Sequence, residues 1–260
     1  MKTGVLGGHL PWPHVAEHLD LMRALDLVPE IAVKGPELDA LDPLQLKRLA
    51  QTLTAANIRP RIHAPFFDLN PGALDPLIRQ ATRQRLEQTL NLARDLHAEL
   101  VILHPGVDKW RYPRLEKTWL SLALDFFPPL VNRAADMDCR LAIENIYEES
   151  PENLVLLVDG LASRFFGHCF DIGHWHLFGK RPLAEWLDAI GAQLFHLHLH
   201  DNHGRADEHL PVGEGTIDFA PLQSHLARAE TLPSITLEAH QPEHLQRSLH
   251  SVIRLLADIC

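Results

Sequence analysis

The sequence has few cysteines, and they follow no recognisable pattern. Cys139, Cys169 and Cys260 are odd in number, and no two of them form a C-x-x-C pair. Disulfide-stapled secreted domains and thiolate zinc sites both need paired or closely spaced cysteines. The cysteine content therefore argues against both classes and favours the reducing cytoplasm, which is where we expect this protein.

Long apolar runs are also missing. The chain opens Met-Lys-Thr-Gly-Val-Leu-Gly-Gly, without the charged lead and long apolar stretch of a secretory signal. No apolar run elsewhere approaches the roughly 20 residues that a membrane-spanning helix needs. We therefore expect neither export nor a membrane as partner.

Basic residues are too few to suggest a nucleic-acid-binding surface. Lys and Arg number 24 against 34 Asp and Glu, so the formal net charge is -10. A negative surface opposes broad attraction to a phosphate backbone, although bound divalent cations would offset some of that charge locally. Charge alone does not identify the substrate, but it makes duplex DNA an unexpected partner.

What the sequence does contain is a regular alternation of strand-like and helix-like stretches. The predicted strands lie near Gly4–Gly8, Ile31–Val33, Arg61–Ala64, Leu100–His104, Leu141–Glu144, Cys169–Ile172, Phe195–Leu199 and Ile235–Glu238. The predicted helices lie near Pro13–Ala24, Pro43–Ala56, Asp75–His97, Leu115–Ala135, Pro151–Asp159, Pro182–Ile190, Phe219–Ala229 and Glu243–Asp258.

Eight consecutive βα units predict an α/β fold. No linker, low-complexity tract or long repeat interrupts them, so we predict one domain over residues 1–260, folded as a closed (β/α)8 TIM barrel. A doubly wound open sheet is the alternative, but it would spread residues from the strand ends along an edge.

Side chains that can bind a metal lie at the ends of the predicted strands or in the loops just after them. They are His63, His104, Glu144, Asp171, His174, His198, Asp207, His209 and Glu238. With 18 histidines in the chain, some would reach strand ends by chance, so the argument depends on the shared position of all nine. A polynuclear Zn²⁺ or Mn²⁺ centre needs imidazoles and carboxylates from several strands, because no single segment can surround several cations. The pattern predicts a metalloenzyme.

These residues belong to short motifs: Arg-Ile-His63-Ala-Pro, Leu-His104-Pro-Gly, Ile-Glu144-Asn, Phe-Asp171-Ile-Gly-His174, His198-Leu-His-Asp-Asn, Asp207-Glu-His209 and Leu-Glu238-Ala. Over nearly the whole chain the set resembles the xylose-isomerase-like barrel superfamily, which contains endonuclease IV and many sugar isomerases and epimerases. In that superfamily the subset matching Glu144, Asp171, His198 and Glu238 is shared by one-metal isomerases and epimerases. The other five positions complete a three-metal site in endonuclease IV-like members.

The resemblance implies how up to three divalent ions, Zn²⁺ and/or Mn²⁺, would be distributed. One would be held by His63, His104 and Glu144. A second would be held by Glu144, Asp171, His198 and Glu238, so that Glu144 would bridge the two ions. The third would be held by His174, Asp207 and His209.

Two kinds of chemistry fit these ligands. In a three-metal site, two close cations lower the pKa of a shared water and the third stabilises phosphate oxygens and the leaving group. In a one-metal site, the cation fixes two neighbouring sugar oxygens while Glu144 and Glu238 move a proton between adjacent carbons. Glu144 and Glu238 are the predicted catalytic residues.

The loops depart from the endonuclease IV pattern. The stretch after the second strand reads Val33-Lys-Gly-Pro-Glu-Leu-Asp-Ala, where the endonucleases carry a basic, aromatic segment. Asp-Ile-Gly-His and Gly-Glu-Gly-Thr-Ile-Asp-Phe look more like proteins described as sugar phosphate isomerases or epimerases. We expect phosphoester hydrolysis of a small sugar- or nucleotide-containing substrate, with sugar (phosphate) isomerisation or epimerisation as the alternative and abasic-site DNA cleavage third.

Other residues near the strand ends receive no fixed role. His196 and His200 alternate with His198, so either can instead be a donor that supports a ligand. His9 suits substrate contact and simple packing equally. The loop aromatics can line a pocket or cover the barrel rim; they are Trp12, Phe66, Phe67, Trp110, Trp175 and Phe178.

Overall fold

Eight parallel strands close into a barrel in the computed structural model, which describes residues 6–239 and 241–257. The strands are β1 (Leu6–Pro11), β2 (Val28–Ala32), β3 (Arg61–His63), β4 (Leu100–Leu103), β5 (Arg140–Glu144), β6 (Phe166–Asp171), β7 (Leu194–Leu199) and β8 (Ser234–Leu237). Each strand pairs in parallel with its neighbours in the chain, and β8 pairs with β1. The predicted TIM barrel is confirmed, whereas one domain over residues 1–260 stays a prediction.

Helices connect the strands and cover the outside of the barrel. They are α1 (Val15–Ala24), α2 (Gly35–Asp39), α3 (Pro43–Ala55), α4 (Pro76–Asp95), α5 (Glu116–Phe126), α6 (Pro128–Asp136), α7 (Glu152–Leu161), α8 (Ile172–Phe178), α9 (Leu183–Ile190), α10 (Ala220–Arg228) and α11 (Pro242–Leu256). In the described part of the chain, none of them is both long and apolar enough to cross a membrane. Gly4, Cys260 and Asp258, which appear in the sequence predictions, lie outside the described residues.

One predicted helix is in fact two. The stretch Leu115–Ala135 divides at Phe127, where α5 ends and α6 begins at Pro128. Two successive prolines follow Phe127, and because neither carries an N–H, the hydrogen bonds that would continue α5 are missing there. The buried Phe127 ring packs between Phe126 and Phe166, with ring centroids 5.3 and 5.0 Å away.

Two short helices were not predicted, and one of them shapes the site. In α8 the Asp171 carboxylate caps the helix by accepting a hydrogen bond from the backbone N–H of His174, at 2.6 Å. An aspartate that ends a strand and caps the next helix satisfies a free N–H of the first turn. The cap brings His174 back over the barrel mouth.

The interior of the barrel is unusually polar. Arg61, in β3, reaches across to β8, where its Nη1 donates to the backbone oxygen of Ile235 at 3.0 Å, while its Nε donates to Glu99 at 3.0 Å. The Arg61 side chain is fully buried. Gly7 leaves room for it, since a Cβ atom there would lie 2.5 Å from Nη1. Arg61 therefore ties two strands together across the barrel.

We expect Arg61→Met to lower the free energy of unfolding by about 2–4 kcal/mol, because buried hydrogen bonds to Ile235 and Glu99 are lost. Urea denaturation measures the change. Arg23→Met is the control: Arg23 pairs with Asp20 on the surface, and its loss should cost less than about 1 kcal/mol. Wild-type stability in Arg61→Met would contradict the role given to this residue.

Candidate metal centre

The nine side chains predicted as ligands converge at the carboxyl end of the barrel. His63, Glu144, Asp171 and His198 lie in strands, His174 lies in α8, and the other four lie in loops just after β4, β7 and β8. Their side chains are at most 10% exposed, with the exception of Asp207, which is 40% exposed. The structure divides them into three neighbouring groups.

The first group consists of His63, His104 and Glu144. The two Nε2 atoms lie 3.3 Å apart, and they lie 3.3 and 3.2 Å from the Oε2 atom of Glu144. Ligands about 2.0–2.1 Å from a tetrahedral zinc ion lie roughly 3.3–3.4 Å from one another. The Nδ1 of His63 faces the backbone oxygen of Ala64 at 3.0 Å, which leaves the Nε2 lone pair toward the group. These donors fit a tetrahedral cation.

The second group surrounds the Nδ1 atom of His198. This nitrogen lies 3.1 Å from Glu144 Oε1, 3.3 Å from Glu238 Oε1 and 3.8 Å from Asp171 Oδ2. The other ring nitrogen, Nε2, faces the carboxylate of Glu30. When His198 is neutral with its hydrogen on Nε2, the lone pair of Nδ1 therefore faces three acceptors. Such a set is favourable only with a positive charge among its members, as a proton or as a metal ion.

The pKa shifts reflect the same charge balance. Burial alone would raise the pKa of Glu144 and Glu238, but His198 and other nearby histidines bring the pKa of Glu238 to about 2 and that of Glu144 well below its usual value. Burial would lower the pKa of His198, whereas the surrounding carboxylates hold it well above its usual value. Without a cation the carboxylates are therefore ionised, and His198 carries a proton that a bound cation would replace.

The third group consists of His174, Asp207 and His209. The Nε2 atoms of the two histidines lie 3.5 and 3.1 Å from Asp207 Oδ2. The other ring nitrogen of His174 lies 3.0 Å from the backbone oxygen of Asn145, so its Nε2 lone pair faces the group. This group is the most open of the three, because Asp207 is partly exposed to solvent.

Several residues support the predicted ligands from behind. Glu30 is fully buried and lies 3.0 Å from His196 and 3.1 Å from His198. His200 Nε2 lies 3.2 Å from both carboxylate oxygens of Asp171. His200 thus supports a predicted ligand, whereas His196 contacts Glu30, Ser234 and Thr236 below the site. The sequence analysis missed Glu30, because its predicted strand began one residue later, at Ile31.

A cavity of about 880 Å³ opens above the centre. Seven of the nine side chains line it, whereas Asp171 and His198 lie beneath the lining residues. The remaining wall is largely apolar, and Phe66 and Phe67 belong to it. The Phe66 ring stacks on His104 with centroids 4.4 Å apart. His9 also lines the cavity, with Nδ1 3.6 Å from Glu238.

The other aromatic residues considered in the sequence lie elsewhere. Trp12 is buried at the end of β1 rather than exposed in the cavity. Trp110, Trp175 and Phe178 are outside the cavity lining. Trp110 instead lies at the surface, 6.2 Å from the ring of Tyr147.

Residues 25–256 match the model of the xylose isomerase-like TIM barrel family, and the chain belongs to this family. An uncharacterized protein of Methanocaldococcus jannaschii is 33% identical over 190 residues, which make up 69% of this chain and 64% of that protein. The match thus spans less than two thirds of that relative.

Solved structures resemble the whole barrel. A protein of Thermus thermophilus, from crystals soaked with zinc chloride, is 26% identical with a TM-score of 0.85, over 98% of both chains. A D-tagatose 3-epimerase-like protein is 24% identical with a TM-score of 0.83, over 98% of this chain and 97% of the other. The second similarity shows the shared fold.

We expect Glu144→Gln to remove more bound zinc per chain than His104→Ala, because the two Glu144 oxygens face two different donor groups. Elemental analysis after zinc loading and dialysis measures the difference. Glu152→Gln, a change at an exposed carboxylate on the outside of the barrel, should leave the zinc content unchanged. Equal zinc in the Glu144 and His104 variants would argue against a shared carboxylate.

Proposed function

We propose that this protein is a divalent-metal-dependent sugar isomerase or epimerase in which Glu144 and Glu238 form the acid–base pair. One observation carries the proposal. Among the four donors of the second group, Glu144 and Glu238 line the cavity, whereas Asp171 and His198 lie beneath it. The two glutamates therefore face the space where a substrate would bind. The similarity of the whole barrel to a D-tagatose 3-epimerase-like protein supports this choice over hydrolysis.

The acid–base chemistry follows from the positions of the two glutamates. Both approach His198 Nδ1, at 3.1 and 3.3 Å, from different strands of the barrel. One carboxylate would accept the proton of a carbon next to a carbonyl group. The other, after taking a proton from water, would return it to that carbon or its neighbour, and the first would release its proton to water. Because both carboxylates are ionised before substrate binds, either can begin the transfer as a base.

The second group of donors would hold the cation. Glu144, Asp171, His198 and Glu238 supply three carboxylates and an imidazole, a set that suits Zn²⁺ and Mn²⁺. A bound cation would fix two neighbouring oxygens of a sugar and stabilise the negative charge that develops on them. His200 and Asn145 hold Asp171 in place: the Asn145 side chain bonds the Asp171 backbone N–H and oxygen, each at 2.9 Å.

Phosphoester hydrolysis is the second candidate, favoured by the third group of donors. His174, Asp207 and His209 have no task in a one-metal isomerase, yet their ring nitrogens converge on one carboxylate oxygen. The two functions make incompatible demands on Glu144. A carboxylate that bridges two cations cannot also accept a proton from a sugar carbon. The number of ions bound per chain therefore separates the two candidates.

The test detects exchange of hydrogen between substrate and solvent, so the product of the reaction does not have to be known. We expect the protein loaded with Mn²⁺ or Zn²⁺ to incorporate deuterium from D₂O into a ketohexose, as detected by mass spectrometry across a panel of free and phosphorylated sugars. Glu144→Gln and Glu238→Gln should each lower the rate by at least about 100-fold, because each removes one proton-transfer group. The matched control is Asp207→Asn, which should retain most of the activity.

The hydrolase candidate predicts the opposite pattern. It would be supported if the loaded protein cleaved a model phosphodiester, if Asp207→Asn abolished this cleavage, and if no sugar of the panel gained deuterium. Binding of two or three ions per active chain would support it further. That combination would contradict the isomerase or epimerase proposal.

Abasic-site cleavage is disfavoured by the segment that follows β2. Lys34 is exposed there beside Glu37 and Asp39, and the nearby Arg85 is already paired with Asp39 at 2.6 Å. We expect slow incision of an abasic duplex and weak binding with a shallow dependence on salt, because few phosphates would be neutralised. Binding titrations at several salt concentrations, run beside a cleavage assay, measure this. Rapid incision with steeply salt-dependent binding would restore the endonuclease assignment.

A further inference from the structure

Glu30 is a buried carboxylate that the proposed proton transfer does not use. It lies in β2 with its side chain fully buried inside the barrel, below the second group of donors. Its position is unusual, since an isolated charge in a barrel interior is costly unless it is paired. The question is what this charge does for the site above it.

Three donors surround the Glu30 carboxylate. Thr236 Oγ1 donates at 2.7 Å, and the Nε2 atoms of His196 and His198 lie at 3.0 and 3.1 Å. Each of these partners can donate a hydrogen, and Glu30 presents only carboxylate oxygens to them, so the carboxylate is the acceptor of the group.

The contact with Glu30 determines which ring nitrogen of neutral His198 carries the hydrogen. A neutral imidazole carries one N–H, and the bond to Glu30 places that hydrogen on Nε2. Nδ1 then presents its lone pair to the space between Glu144, Asp171 and Glu238. Without Glu30, the three carboxylates would instead favour a hydrogen on Nδ1, which would block the position where a cation would bind.

We propose that Glu30 is a positioning residue that holds His198 in the tautomer with Nδ1 unprotonated, and that it thereby raises the affinity of the second donor group for a divalent cation. The inference rests on the metal centre of the proposed function. The contact also fixes the plane of the ring, because Glu30 and the three carboxylates approach His198 from opposite sides.

The lower barrel holds Glu30 in place. Thr236, which donates to Glu30, also lies 3.4 Å from the Nη1 of Arg61. The chain of contacts therefore runs from Glu99 through Arg61 and Thr236 to Glu30 and His198.

The first experiment measures zinc affinity in protein stripped of metal, by competition with a chromogenic chelator. Glu30→Gln should raise the tightest zinc dissociation constant about 10- to 100-fold, the usual effect of losing a residue that orients a metal-bound histidine. Glu152→Gln removes an exposed carboxylate on the outside of the barrel and should leave the constant unchanged. Equal constants in the wild type and Glu30→Gln would overturn the proposal.

The second experiment observes the tautomer directly. In protein labelled with ¹⁵N-histidine and loaded with zinc, we expect the His198 ring, identified by the signals that His198→Asn removes, to carry its hydrogen on Nε2 and zinc on Nδ1. In zinc-loaded Glu30→Gln we expect the signals of a hydrogen on Nε2 with zinc on Nδ1 to weaken relative to the wild type. A purely structural role for Glu30 would not change the tautomer.

The outcomes separate the two proposals. Zinc binding in the wild type, with unchanged affinity and tautomer in Glu30→Gln, would overturn the role of Glu30 alone. A wild type that binds no divalent cation would overturn both the metal centre and this inference. If Glu30→Gln does not fold, the spectrum of the zinc-loaded wild type decides, because a hydrogen on Nδ1 or zinc on Nε2 of His198 would contradict the proposal.

Discussion

Three carboxylates converge on one imidazole nitrogen at the carboxyl end of the barrel, and the rest of the site is built around this negative charge. Glu144, Asp171 and Glu238 come from separate strands, so only closure of the barrel brings them within 3.8 Å of His198 Nδ1. Buried charges of one sign repel each other, and burial removes the water that would screen them. A cation among them relieves both costs, which explains why a metal centre fits here.

The same constraint accounts for the polar interior of the barrel. Apolar residues fill the layer between strands and helices, whereas the described residues of the barrel interior include one small apolar cluster around Leu100 and Ile102. Arg61, Thr236 and Glu30 occupy positions that branched apolar residues often fill in such barrels. They form a hydrogen-bonded column that ends on His198. The column links the stability of the lower barrel to the orientation of a predicted metal ligand.

Much of the fold could be predicted from the sequence because its signals are local and repeated. The alternation of strands and helices predicted the barrel. The positions of His63 and Glu144 at strand ends predicted that the site lies at the carboxyl end of the barrel. Local signals failed where tertiary contacts decide. Glu30 was missed since Pro29 and Glu30 are poor strand residues, and only the closed barrel shows that Glu30 meets His198.

The reaction was harder to predict than the site. In the sequence analysis all nine donors matched positions of the three-metal members of the superfamily. This match favoured hydrolysis, because a one-metal isomerase needs only four of the nine. The structure adds a distinction that no linear pattern contains: Glu144 and Glu238 face the cavity, and Asp207 is partly exposed. Whether Glu144 bridges cations or moves protons depends on occupancy, which a sequence does not encode.

The central claim is that the second donor group is the primary metal site. Its most direct test is diffraction at the zinc absorption edge from crystals of protein given one zinc ion per chain. The account predicts one strong anomalous peak between Glu144, Asp171, His198 and Glu238, with the His198 ligand atom being Nδ1. A first peak between His174, Asp207 and His209, or no peak beside His198, would contradict it.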